Sequence, residues 1–396
     1  MKRLGIFTGT RADYGLLRPL IRQLKADQSF DVRVIASGSH FQREFGETHR
    51  EIEVDGFTID EKVDMLLASD SAEAMAKSLG LGVILYTDAL TRQALDGVVI
   101  LGDRYEALAM ATAATVLGVP IFHLHGGELT LGAIDDAFRH AITKMATLHF
   151  TSTEIYRNRV IQLGESPERV FNVGAIGVDN IRSLKLLDRP ALEKELAIYF
   201  RKTNFLVGFH PETAAHGAAK EQVHELLEAL DELLKTQESQ VVFTKANADA
   251  EGRLVNEMVE AFVARRPTQA HCFSSLGSLR YLSLLKASDV LIGNSSSGII
   301  EAPSLNTPTV NIGNRQGGRL RAASVVDCEA KKASILKAVT HALEPGFRKS
   351  ALNSPNPYGD GKTTEKIVAI FRKYDFKCAN KIFHDLPQIT QGRTEQ

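Results

Sequence analysis

The chain has 396 residues, 44% of them hydrophobic, too long for one compact core and suited to two α/β domains of roughly 180 residues each. Lys and Arg number 47 against 48 Asp and Glu, a net charge of -1 that excludes a nonspecific grip on nucleic acid. Aromatics are 7% and Trp is absent, which leaves little material for base-stacking platforms or a membrane-interface belt.

The opening Met1-Lys2-Arg3 precedes an apolar run of only Leu4 to Phe7, too short for a signal peptide, so a cytoplasmic protein is expected. Leu4 to Thr8 reads as a buried strand, Leu16, Leu17, Leu20, Ile21 and Leu24 recur at helical spacing, and Val32 to Ala36 reads as the next strand. The most apolar stretch, Gly97 to Phe122, carries Asp103, Arg104 and Glu106, charges that oppose a membrane span. It reads as strand Val98 to Leu101 and a helix from Tyr105, followed by strand Val119 to Leu124, a helix over about Asp136 to Ala146 and strand His149 to Thr151. These form an expected first domain over residues 1–180.

Ser183 to Leu196, with Pro190 and mixed charge, reads as a connector and a solvated helix. A second series follows, with strands Phe205 to Phe209, Val241 to Thr244, Val290 to Ile292 and Thr309 to Ile312, and a helix over Leu254 to Ala264. It predicts a second domain over 181–365, and residues 366–396 a crossover helix and polar tail, the helical period itself running from Thr363 to Lys373. Strands alternating with helices predict parallel sheets and the α/β class, with two similar lobes facing one cleft. Cys272, Cys328 and Cys378 include no Cys-x-x-Cys pair, which argues against structural disulfides and zinc.

Two strand–small-residue–helix junctions suit an anion, because free backbone N–H groups and the helix dipole converge there. Thr8 to Gly15 is the first, with Arg11 adding charge and Asp13 a weaker candidate; its glycines do not fit Gly-x-Gly-x-x-Gly, which demotes a dinucleotide. Gly293-Asn294-Ser295-Ser296-Ser297-Gly298 is the second and better one, with Glu301 one turn into the following helix, in reach of ribose hydroxyls. Tyr358-Gly359-Asp360-Gly361-Lys362-Thr363 imitates a P-loop, but Asn356 stands where its first glycine belongs, and no Asp-x-Asp pair offers a metal–diphosphate clamp.

The carboxyl ends of strands in open α/β sheets gather ligands. Asp103 and Arg104 follow one predicted strand and Glu128 the next, His210 ends the strand Phe205 to Phe209, and Arg315 follows Thr309 to Ile312 with Arg319 and Arg321 behind it. Asp136, Arg139, His140 and Thr143 share a helical face that reads mostly as a salt-bridged surface, leaving Asp136 and His140 as weaker site candidates with Asn247 and Asp249.

Together these strings resemble the UDP-N-acetylglucosamine 2-epimerase family, most closely its hydrolysing branch, which makes N-acetylmannosamine for bacterial sialic acid synthesis. The resemblance rests on Thr8 to Gly15, Gly102-Asp103-Arg104, His125-Gly126-Gly127-Glu128, Arg139 to Lys144, His210-Pro211-Glu212-Thr213 and Gly293 to Glu301. It implies a glycosyltransferase-B-like fold with a C-terminal helix crossing back to the first lobe, no cofactor, no metal, a nucleotide sugar as partner and a homodimer. It also implies that Asp103, Glu128, Arg104 and His210 are catalytic and that Arg11, Gly293, Ser295, Ser296, Glu301 and Arg315 hold the nucleotide. Where relatives often show Pro-Asn-x-Asp-Ala this chain has Lys245-Ala246-Asn247-Ala248-Asp249-Ala250, a departure on the uridine side. Alternatives are a non-hydrolysing epimerase, an epimerase of a UDP- or GDP-linked 2,4-diacetamido-trideoxy sugar, a glycosyltransferase of the same fold, or a sensor that binds without catalysing.

Overall fold

In the computed structural model, residues 1–69, 71–131, 133–212, 217–235, 238–246, 251–376 and 381–386 are described. Seven parallel strands form the first sheet: β1 (Lys2–Thr8), β2 (Phe30–Ser37), β3 (Glu61–Val63), β4 (Gly97–Leu101), β5 (Ile121–Leu124), β6 (Leu148–Thr151) and β7 (Val170–Asn172). Their order is β3-β2-β1-β4-β5-β6-β7, so β4 is central and the winding reverses between it and the neighbouring β1. The second sheet holds β8 (Thr203–Gly208), β9 (Ser239–Thr244), β10 (Ala270–Phe273), β11 (Val290–Gly293), β12 (Thr309–Ile312) and β13 (Val325–Cys328), in the order β10-β9-β8-β11-β12-β13. Each sheet is a doubly wound Rossmann-like unit, and each switch point lies at the carboxyl end of its central strands, where the candidate residues cluster.

The strands read as unbroken apolar runs because both faces are covered by helices. In the helix Arg11–Lys25, Leu17, Leu20, Ile21 and Leu24 form one buried stripe, and the Thr10 hydroxyl caps the first turn by accepting from the Asp13 N–H at 3.2 Å. Each such leucine, fully buried, contributes roughly 1.5–3 kcal/mol. The connector helix Arg189–Leu196 is less solvated than its charges suggest: Leu192 and Leu196 are buried in the second lobe. The helix Ala72–Gln93 and strands β3, β7, β10 and β13 are additional to the elements read from the sequence.

The helix Thr363–Lys373 returns to the first lobe. Ile367, Val368 and Phe371, with Phe376 beyond it, belong to the first-lobe core, where the Phe371 and Phe376 rings lie 5.0 and 4.7 Å from that of Phe122 on β5. Two Rossmann-like lobes joined by this crossing helix give the glycosyltransferase-B-like arrangement. One expectation changes: the loop after Gly293 opens not a long helix but a single turn, Ser297–Ile300, followed by a 3₁₀ turn Ala302–Leu305 that carries Pro303. Glu301 therefore caps a short turn instead of sitting inside a helix.

Candidate active site

Two adjoining chambers occupy the cleft. The first, on the first-lobe side, is lined by Asp13, Asp103, Arg104, His125, Glu128, Thr130, Asp135 and Arg139, with Arg315 and Arg319 reaching in from the second lobe. The second is lined by Arg11, His210, Lys245, Tyr281, Ser295, Ser296, Ser297, Glu301 and Arg315. Ser296, Glu301 and Arg315 border both.

Gly102, at φ +76, turns the chain out of β4 and presents Asp103. Asp103 is 19% exposed and accepts hydrogen bonds from Arg139 Nη2 and, at 3.5 Å, from Thr130 Oγ1. Glu128 is fully buried. It is held by Arg139 Nη1 at 3.2 Å, Arg319 Nη2 at 3.0 Å, His125 Nδ1 at 2.9 Å and Ser152 Oγ at 2.7 Å. Burial alone would raise its pKa, but the charges of Arg319 and His125 and the hydrogen bonds from His125 and Ser152 outweigh burial and hold it at about 2. The Arg139 guanidinium thus forks between the two carboxylates and is itself 1% exposed.

This corrects the reading of Arg139 and Thr143 as part of a solvated helix face: both are buried, and the helix Asp135–Met145 turns that face inward. The weaker candidates Asp136 and His140 do not line the chamber. Asp136 accepts the Thr130 N–H at 2.6 Å, and His140 lies 3.7 Å from Asp136, so their place is behind the loop that carries Thr130. Asn247 and Asp249, and Thr213 of the His-Pro-Glu-Thr string, lie outside the described residues. Glu212 is buried and accepts the Asn314 N–H at 2.8 Å, a bond that fixes the second-lobe loop before Arg315.

The first junction differs from an open anion cradle, since the Asp13 carboxylate already accepts the Gly9 N–H at 3.3 Å. Burial raises the Asp13 pKa, with Arg104 opposing. Arg104 donates to the buried Glu106 at 3.2 Å, and Arg11 crosses the cleft to the Ser274 carbonyl at 2.8 Å.

In the second lobe Asn294 organises the residues around the second chamber. Its side chain takes the His210 N–H at 2.7 Å and returns a bond to the His210 carbonyl at 2.8 Å, while its own carbonyl accepts from Arg315 at 3.1 Å and Gln316 at 2.9 Å. Gly293, at φ +137, lies against the Gly208 carbonyl, which a Cβ would overlap, so β8 and β11 present His210 and the serines side by side. Burial raises the Glu301 pKa, and its Oε2 is buried without a hydrogen-bond partner among the described residues.

The family model described as UDP-N-acetylglucosamine 2-epimerase matches residues 22–372. The chain belongs to the UDP-N-acetylglucosamine 2-epimerase family. It is 43% identical over 83% of its length to a hydrolysing GDP/UDP-N,N'-diacetylbacillosamine 2-epimerase of Campylobacter jejuni, 84% of which is covered. It is 37% identical over 98% of its length to the polysialic acid biosynthesis protein P7 of Escherichia coli, 99% of which is covered. The crystal structure of UDP-GlcNAc 2-epimerase from Neisseria meningitidis bound to UDP-GlcNAc superposes with a TM-score of 0.81 at 20% identity, over 94% of this chain and 100% of that one. At that identity the likeness establishes the fold.

In this member of the UDP-N-acetylglucosamine 2-epimerase family, sequence reasoning left three side chains without a role in the site. Arg139 joins the carboxylates, Arg319 brings a second-lobe charge onto Glu128, and His123 holds the Gly102 carbonyl through Nε2 at 2.7 Å while its Nδ1 lies 3.2 Å from Thr143 Oγ1. Burial pushes the His123 pKa down to about 3, so the ring stays neutral. The signals in the sequence were that Arg139 opens one of the strings carrying the resemblance, that Arg319 lies shortly after Arg315, and that His123 is the penultimate residue of a strand. Among the described residues no His, Cys, Asp and Glu cluster forms a metal site, and no helix is long and apolar enough to cross a membrane. Cys272 and Cys328 are free thiols whose pKa values burial pushes up to about 11 and 12.

Proposed function

We propose that the protein is a hydrolysing 2-epimerase that releases UDP from a UDP-linked 2-acetamido sugar and frees the sugar inverted at C2. The observation that carries this reading is the cleft itself: Asp103 stands in one chamber, and Arg315 borders both that chamber and the one lined by His210 and Ser295. The C2–H of such a sugar has no neighbouring carbonyl to acidify it, so the leaving group departs first. UDP takes the C1–O bonding pair, oxocarbenium character at C1 acidifies C2–H, and a carboxylate removes that proton to give the glycal. Water then adds its hydroxyl to C1 as C2 is protonated from the opposite face, so the sum is nucleotide sugar plus water giving UDP and free sugar.

Asp103, partly exposed, suits the base; Glu128, fully buried and held ionised at about 2, suits a fixed negative charge that orders Arg139 and Arg319. Asp13 lines the same chamber, and its raised pKa suits the group that returns a proton to C2. Arg11, His210, Arg315 and the serine loop take the growing charge on the diphosphate.

The resemblance favours UDP-N-acetylglucosamine as substrate, with N-acetylmannosamine passing to sialic acid synthesis in a cytoplasmic homodimer. The Campylobacter jejuni relative supports a second reading, a 2,4-diacetamido-2,4,6-trideoxy sugar on UDP or GDP. Incubation of the enzyme alone with each nucleotide sugar in heavy water, followed by proton NMR, separates them. A free manno-configured sugar with deuterium at C2 and stoichiometric UDP or GDP supports the reaction; a nucleotide-linked manno product, or no turnover without an acceptor, overturns it.

A further inference from the structure

The string Tyr358 to Thr363 imitates a phosphate loop, and the chemistry above makes no use of it. Its place in the fold is different. Gly359, at φ +114, lies against Gly174 of the first lobe so closely that a Cβ on it would stand 3.2 Å from the Gly174 Cα. Ala175 N–H donates to the Tyr358 carbonyl at 2.8 Å, and Asp179 accepts from the Thr363 N–H at 3.0 Å. The string is thus fastened to the first lobe by its backbone.

The Tyr358 side chain, fully buried, meets Tyr156 of the helix Glu154–Gln162, also buried, with the two hydroxyls 3.0 Å apart. Leu320, in the second-lobe loop after β12, completes the group: its N–H donates to Tyr156 Oη at 2.8 Å, and its carbonyl accepts from Tyr358 Oη at 3.0 Å. A phenol has one proton. Tyr358 gives its proton to Leu320, so the Tyr156 proton goes to Tyr358 Oη, and the three bonds close a cycle in one direction. Burial, then the charge of Glu128, raises the Tyr358 pKa, which keeps that donor protonated. The first lobe and the Tyr358 string therefore grip one second-lobe residue by both its N–H and its carbonyl.

The residue before Leu320 is Arg319, which reaches Glu128 at 3.0 Å. Glu128 follows Gly127, at φ +79, and Gly127 is pressed against the Tyr156 carbonyl, where a Cβ would overlap. Both partners of the Arg319–Glu128 pair are thus referenced to the same tyrosine, one through its hydroxyl and one through its backbone.

We infer that Tyr156 and Tyr358 are positioning residues, whose hydroxyl cycle with Leu320 holds Arg319 of the second lobe on Glu128 of the first and so completes the sugar chamber. The inference rests on the proposed function only in calling that chamber the sugar's. Neither tyrosine touches the reacting atoms.

The test uses the full-length protein carrying Tyr156→Phe, Tyr358→Phe, Arg319→Gln and the double variant Tyr358→Phe/Arg319→Gln. With the nucleotide sugar that the unaltered enzyme turns over, each Phe variant is expected to lower kcat about tenfold while KM and the UDP dissociation constant move less than about threefold. Arg319→Gln should lose at least as much. Adding Tyr358→Phe to it should cost no more than about twofold, because residues acting through one group are not additive. Losses that multiply, or a kcat unchanged in both Phe variants, overturn the inference. If Tyr358→Phe fails to fold, Tyr156→Phe with Arg319→Gln makes the same cycle. If the unaltered enzyme turns over no sugar, the proposed function has failed. The crystal structure of Tyr156→Phe with UDP then decides the positioning role: Arg319 displaced from Glu128 supports it, and Arg319 still in place overturns it.

Discussion

Arg319 of the second lobe stands 3.0 Å from Glu128 of the first, and the same carboxylate oxygen is 3.2 Å from Arg139. Two guanidinium groups therefore share one buried negative charge, and Arg139 also meets Asp103. Removing Glu128 costs more than the cluster contributes, since Arg319 would stay out of water without its carboxylate. Glu128→Gln should lower unfolding free energy by about 3 kcal/mol in urea titrations, apart from any loss of turnover. A variant as stable as the unaltered protein would show that the cluster is well solvated.

Asp103 has the opposite character, partly exposed and, among the described residues, paired with Arg139. Asp103→Asn should reduce turnover at least about 100-fold while leaving UDP affinity within about twofold, as read by steady-state kinetics and calorimetry. Asp13→Asn should also reduce turnover, and if Asp13 serves reprotonation, the variant should release UDP and let glycal accumulate. Normal turnover by Asp103→Asn removes it from the reaction.

Acid stability follows from the buried histidines. His40 and His123 are each pushed by burial from 6.5 to about 3. Their folded pKa lies below the unfolded one, so the native state binds fewer protons and the stability is full above the unfolded value, then lost as pH falls from about 6.5 toward 3. Glu128 and Glu165, both lowered from 4.5 to about 2, add a second loss below about 4.5. The thermal midpoint should fall in two stages between neutrality and pH 3. His123→Gln, which keeps an N–H for the Gly102 carbonyl but does not titrate, should flatten the first stage; an unchanged slope would exclude His123 as a source.

Gly293 combines φ +137 with contact against the Gly208 carbonyl. Gly293→Ala should destabilise the protein by about 1–3 kcal/mol and abolish UDP binding, because the strain is relieved only by moving the serine loop. Calorimetry with UDP checks this, and normal affinity would show that the loop adapts.

The proposed reaction changes no oxidation state, and Arg11, His210 and Arg315 are cations suited to the diphosphate. Turnover should therefore survive EDTA. Inactivation reversed by added magnesium would contradict this.

Much of the fold was legible because parallel strands buried on both faces leave apolar runs such as Leu4 to Thr8 and Val290 to Ile292 that local pattern detects. Residues at their carboxyl ends, Asp103, Glu128, His210 and Arg315, were legible for the same reason, and all four line the cleft. The edge strands β3, β7, β10 and β13 were not, being three or four residues long. The helix Ala72–Gln93 escaped because its buried stripe is built largely of Ala, Ser and Gly, which carry little hydrophobic contrast. Arg139 was misread because helical spacing shows which residues share a face but not whether a charged face turns inward to meet carboxylates on other strands. The role of the Tyr358 string lies in partners 38 and 202 residues away, a separation that no local pattern encodes.

The return of Phe371 and Phe376 to Phe122 has a consequence for biosynthesis. Domains emerging from a ribosome commonly fold in order, amino-terminal one first. Here the leading lobe lacks several of its interior aromatic rings until translation has passed residue 376, by which time the trailing sheet has been made. The nascent leading lobe therefore completes its core only after residue 376 has been made.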